Sequence, residues 1–91
     1  MWVIIDHKFV KTIRDLPVQC LKKYSVFKTK VEFLGLDSIR SKPGLQLEML
    51  KGNLQGLYSI RLNRSYRVVF SVNHHDRIVT ILEISKHRYG K

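Results

Sequence analysis

Cysteine, proline and acidic side chains are all scarce in this 91-residue chain. A lone cysteine, Cys20, excludes an internal disulfide and makes a reducing cytoplasm the expected compartment. No apolar run is long enough to span a bilayer. The N-terminal stretch Trp2 to Ile5 is interrupted by Asp6 and is too short for the apolar core of a secretion signal. There is no internal repeat, low-complexity tract or linker, so residues 1–91 are expected to form one small domain with a thin stability margin. Several chemistries drop out with their motifs. The chain has no Gly-rich phosphate loop, no G-x-S-x-G elbow and no acidic cluster suited to magnesium. His74-His75 has no Cys or spaced carboxylate to complete a metal site. No metal and no cofactor is expected.

What the chain does have is positive charge. Seventeen Lys+Arg against seven Asp+Glu give a formal +10, spread over the whole length. A domain this small and this basic points to a polyanionic or strongly acidic partner. A membrane surface fits less well, because the apolar residues are committed to a core.

The order of elements follows from local patterns. Trp2 to Ile5 reads as a strand. Asp6 is placed to cap a helix carrying Phe9, Ile13 and Leu16 at helical spacing. Pro17 ends that helix and can begin a second. Its stripe is Leu21, Tyr24, Phe27, Val31 and Leu34, with Gly35 as a C-cap. Cys20 lies beside that stripe and is expected to be packed, not nucleophilic. Ser38 to Gly44 reads as a connector, and Leu45 to Gly52 as a short strand or a turn of helix. From Leu57 the period becomes two, and three β-rich runs with short polar turns predict an antiparallel meander. The expected fold class is α+β, in the order β-α-α-β-β-β, with two helices packed on one face of an antiparallel sheet.

Alternation also predicts which side chains share a face. A first hairpin turning through Asn63 to Ser65 pairs Arg61 with Arg67. A second turning through His74 to Asp76 pairs Phe70 with Thr80 and Arg67 with Glu83. These registers put Ile60, Leu62, Val68, Phe70 and Leu82 under the helices. They put Arg61, Arg67 and Glu83 in one row on the other face, with Val69 and Ile81 as exposed apolar neighbours. Two arginines directly opposite each other repel. A bound phosphate would relieve that, because a guanidinium grips its oxygens with parallel hydrogen bonds.

The C-terminal run EISKHRYGK adds Lys86, His87, Arg88 and Tyr89, all groups that handle phosphate or protons. With Glu48, Arg61 and Arg67 they complete what metal-free RNA cleavage needs. That is a base for the 2′-hydroxyl, cations for the phosphorane and an acid for the leaving 5′-oxygen. The 2′-hydroxyl is then the nucleophile, so DNA is not a substrate.

These residues carry a resemblance. LKGNLQGLYSIRLNRSYRVVFSV and the ending ILEISKHRYGK resemble the C-terminal half of the RelE/ParE toxin superfamily of bacterial type II toxin–antitoxin modules, nearest to its RelE-like mRNA endonucleases. The resemblance runs over the whole chain. It implies a ribosome-dependent endoribonuclease that blocks translation until a cognate acidic antitoxin neutralises it. It implies Glu48 as base, Arg67 as the transition-state arginine, and His87 with Tyr89 as terminal acid or base-stacking groups. Arg61 and Lys51 become phosphate-binding residues, joined by Lys86 and Arg88. Arg88 departs from relatives that carry an acidic or small residue there. The alternatives are a gyrase-poisoning toxin of the ParE branch, which shares the fold without the RNase chemistry, and a plain basic RNA- or ribosome-binding module. The terminal His/Tyr pair favours the nuclease.

Overall fold

The computed structural model describes residues 1–40 and 44–86. The chain begins with strand β1 (Val3–Ile5), then a 3-10 turn (His7–Phe9) running into helix α1 (Val10–Arg14). Asp6 does not cap that helix with its side chain. Its carboxylate is drawn away to α2 (Val18–Leu34), where it accepts hydrogen bonds from Tyr24 Oη at 2.6 Å and Lys28 Nζ at 3.1 Å. Pro17 sits just ahead of α2, at its N-cap. Gly35 ends the helix at φ 88°, where a Cβ would lie 3.1 Å from the Trp2 indole nitrogen. A 3-10 turn (Leu36–Ile39), β2 (Glu48–Met49) and a further 3-10 turn (Gly52–Leu54) lead into the meander β3 (Leu57–Arg61), β4 (Tyr66–Asn73) and β5 (Ile78–Lys86).

The sheet has five strands in the order β1-β5-β4-β3-β2. Three of the four pairings have the expected direction: β3–β4, β4–β5 and β2–β3 are antiparallel. β1 instead pairs in parallel with β5, so the expected all-antiparallel sheet is corrected at that edge. The helices between β1 and the meander make this possible, since a parallel neighbour needs a long crossover.

Both helices cover one face. Cys20, Tyr24, Phe27 and Val31 recur at helical spacing and are buried against Ile60, Leu62, Val68, Phe70 and Val79. Phe70 is the hub, 5.4 Å between ring centroids from Phe27 and stacked with Tyr58 at 5.8 Å. Leu34 departs from the expected stripe and is 68% exposed. Past Gly35 the chain turns back, and Leu36 and Ile39 join the core in its place. No helix among the described residues is long and apolar enough to cross a membrane.

The first hairpin has the expected register, with Arg61 opposite Arg67. Asn63 sets it locally: its Oδ1 accepts the N–H groups of Ser65 and Tyr66, both at 2.7 Å. The second hairpin differs from expectation in two ways. Its turn runs from His74 to Arg77, one residue longer, closed by Asn73 Oδ1 accepting the Asp76 N–H at 2.9 Å and by Arg77 at φ 58°. A bulge then interrupts the ladder between Val69 and Phe70. Phe70 faces Ile81 instead of Thr80, Val69 faces Glu83, and Arg67 faces Ser85 instead of Glu83. The longer turn exchanges two side chains: Ile81, opposite Phe70, is 4% exposed in the core, whereas Leu82 is 45% exposed. Ile84 returns to the core side opposite Val68. Val69 is also corrected. It is 5% exposed, because it lies on a central strand among longer neighbours.

Candidate functional site

Residues directly opposite each other on paired strands share a face. Ile60 and Val68 point to the helices, so their neighbours in sequence point the other way. The open face therefore carries two rows. One is Glu48, Ser59, Val69 and Glu83, from β2 to β5. The next is Arg61, Arg67 and Ser85. Rows on one strand are about 7 Å apart and strands about 4.8 Å. Glu48 and Arg67 then lie about 12 Å apart at their Cα atoms, within joint reach of one phosphodiester.

Arg67 is held unusually. Its Nε is buried and has no hydrogen-bond partner among the described residues. Ser59 Oγ, on the adjoining row, is in the same condition, and Ser59 is 1% exposed. Leaving a buried donor unmet costs roughly 1–3 kcal/mol. Two such groups beside a like-charge pair give this face hydrogen-bonding capacity that the described residues leave unused. Unmet buried polar groups of this kind call for an explanation, and a ligand is one.

Glu83 remains close to the arginines, but diagonally: it is one strand and one row from Arg67, on the order of 8 Å. Lys51 is exposed and precedes the 3-10 turn after β2. Lys86 is exposed opposite Tyr66, which packs on the core side, so the register assigns it to the helix side and not to the arginine rows. His87, Arg88 and Tyr89 lie outside the described residues. Among the described residues no group of three or more His, Cys, Asp or Glu comes together. Cys20 is fully buried, and that burial raises its thiol pKa. Sequence reasoning missed Ser59. The signal was present, since Ser59 alternates with Arg61 and so shares its face, but a small serine does not advertise burial.

Beneath the sheet, Tyr24 has its pKa raised by burial first and by its hydrogen bond to Asp6 second. This contact ties the β1–α1 junction to α2. It belongs to the scaffold, on the far side of the sheet from the arginines.

Comparison with known proteins agrees with this fold. No curated protein sequence matches the chain. Among solved structures, a chain of the archaeal RelE–RelB complex from Pyrococcus horikoshii OT3 superposes with a TM-score of 0.72 at 27% identity, covering 98% of this chain and 97% of that one. A chain of the YoeB–YefM complex from Staphylococcus aureus gives 0.68 at 22% identity, covering 94% and 95%. The isolated E. coli RelE toxin gives 0.65 at 22%, covering 99% and 87%. The last two likenesses concern the fold alone. The family model of HigB-like toxins, described as the RelE-like toxin of the type II toxin–antitoxin system HigB, matches residues 10–87. A match over that much of the chain, on this fold, makes the protein a member of the HigB-like family of RelE-like toxins of type II toxin–antitoxin systems.

Proposed function

We propose that this toxin is a metal-independent endoribonuclease that cuts translated messenger RNA on the ribosome. The ribose 2′-oxygen attacks the adjacent phosphorus, the bond to the 5′-oxygen breaks, and a 2′,3′-cyclic phosphate and a 5′-hydroxyl result. Glu48 takes the 2′-hydroxyl proton, and His87 or Tyr89 returns one to the leaving oxygen. Arg67 and Arg61 hold the charge that develops on the phosphorane. The observation that carries the reading is the buried, unmet Nε of Arg67 opposite Arg61. Such an arrangement is costly without an anion and favourable with one.

The neutralising partner in this reading is a small acidic antitoxin that forms a hetero-oligomer with the toxin. RelE–RelB is solved as a complex, and YoeB–YefM as a heterotetrameric toxin–antitoxin complex. The +10 charge supplies the attraction. Leu82, exposed in one groove with Ile5 and Thr80, supplies an apolar contact on the same face. This is the role first assigned to Val69 and Ile81, both of which are buried.

Primer extension on translated messages after brief induction tests the reading, with purified toxin assayed with and without ribosomes. Cleavage is expected only with ribosomes. It should fall about 10²–10³-fold in Arg67→Ala and about 10²–10⁴-fold in His87→Ala. Growth arrest with DNA breaks and intact messages would make this a gyrase-directed toxin. RNA binding without cleavage would reduce it to a binding module.

A further inference from the structure

At the end of the sheet where β3 turns into β4, an open groove of about 480 Å³ is lined by Lys23, Gly44, Gln46, Arg61, Asn63 and Arg64. Three of those residues are cations, two are amides, and none is an acid. Its walls belong to three parts of the fold that are tied together. Lys23 Nζ, from α2, donates to the Gly44 carbonyl at 2.7 Å. The Arg61 N–H donates to the Leu45 carbonyl at 2.8 Å. Asn63 commits its Oδ1 to the hairpin turn, which leaves the amide's Nδ2 as a donor. Between them Gln46 is held at φ 47°, a left-handed conformation that a glutamine adopts at a cost. Local strain of this kind persists where surrounding structure imposes it, and it gathers at ligand sites.

Arg61 connects this groove to the open face, because it also stands directly opposite Arg67. We propose that the groove is a second phosphate subsite, which holds a backbone phosphate of the single-stranded RNA whose scissile phosphate lies at Arg67. Lys23 and Arg64 provide the charge, and the amides of Gln46 and Asn63 provide directed donors. The subsite holds backbone, since three of its lining residues are cations and nothing in it is aromatic to stack a base. It would fix the strand's position along the toxin, and so which phosphate meets Arg67.

The inference rests on the nuclease reading, but its test does not need cleavage. The probe is a fully 2′-O-methylated single-stranded RNA, which has no nucleophile. Its affinity is measured by fluorescence anisotropy across a salt series. For a single strand, each phosphate contact contributes about 0.7 to the slope of log affinity against log salt. Arg64→Gln should lower the slope by about 0.7 and Lys23→Gln/Arg64→Gln by about 1.4. A charge-matched control, Lys8→Gln/Lys11→Gln, changes exposed residues that line no part of the groove and should leave the slope as it is. Melting curves of all variants show whether they are folded. An unchanged slope in the folded double variant overturns the proposal, as does an equal fall in the control. A groove that serves structured ribosomal RNA would lower only ribosome co-sedimentation, which also overturns it. A parent protein that binds the probe with the full slope yet never cuts RNA would sink the nuclease reading and leave the subsite standing.

Discussion

Replacing Arg67 with alanine removes a guanidinium that the sheet tolerates at a cost. The residue faces Arg61 across the β3–β4 ladder, and like charges there cost roughly 0.2–1 kcal/mol. Its Nε is buried without a partner among the described residues, which adds roughly 1–3 kcal/mol. Against this stands the packing of the half-buried side-chain stem, worth about 0.8 kcal/mol for each methylene taken from water. The terms nearly cancel, with a small gain on the side of alanine. The melting temperature should be unchanged or higher, by about 4–8 °C for each kcal/mol gained. Activity should move in the opposite direction. One pre-organised donor removed from a developing oxyanion typically costs about 10²–10³ in rate, or about 2.7–4 kcal/mol. Arg67→Lys keeps the charge but loses the planar fork, so it should be nearly as inactive as alanine while melting like the parent. The assay pairs a melting curve with ribosome-dependent cleavage of a translated message for the same three proteins. A destabilised Arg67→Ala that still cleaves at the parental rate would refute the reasoning, because the arginine would then be structural and the active face would be elsewhere.

Three further outcomes follow from named contacts. Ser59→Ala removes a buried hydroxyl that has no partner among the described residues, so stability should rise by about 1 kcal/mol in a urea titration, and cleavage should fall if the hydroxyl serves RNA. Tyr24→Phe deletes a hydrogen bond to the Asp6 carboxylate and should cost about 1.5–3 kcal/mol. Because the folded state raises the Tyr24 pKa, its contribution is full below the unfolded value of about 10 and is lost as pH rises above it. Melting in alkaline buffer should therefore fall more steeply for the parent than for Tyr24→Phe; parallel curves would contradict the linkage. Finally, the register set by the longer turn predicts that Ile81→Ala costs about 2–5 kcal/mol, while Leu82→Ala changes stability by no more than about 0.5 kcal/mol. Reversed values would restore the register of the shorter turn, with Phe70 opposite Thr80.

What the sequence by itself determined was local. The first hairpin is short, and Asn63 closes it with its own side chain, so the Arg61–Arg67 pairing could be read from neighbouring residues alone. The helix stripe of Tyr24, Phe27 and Val31 was legible for the same reason, since 3.6-residue periodicity needs no distant partner. The β4–β5 register was not legible. Ile81 and Leu82 are adjacent and both apolar, so alternation could not tell which of them belongs under Phe70. That choice depended on the longer turn at His74 to Arg77 and on the parallel pairing of β1 with β5. The candidate site divides along the same line. Two arginines facing each other follow from the alternation in β3 and β4. The burial that strips Arg67 Nε and Ser59 Oγ of partners arises only when five strands are assembled, because desolvation is a property of everything surrounding an atom and not of its neighbours in the chain.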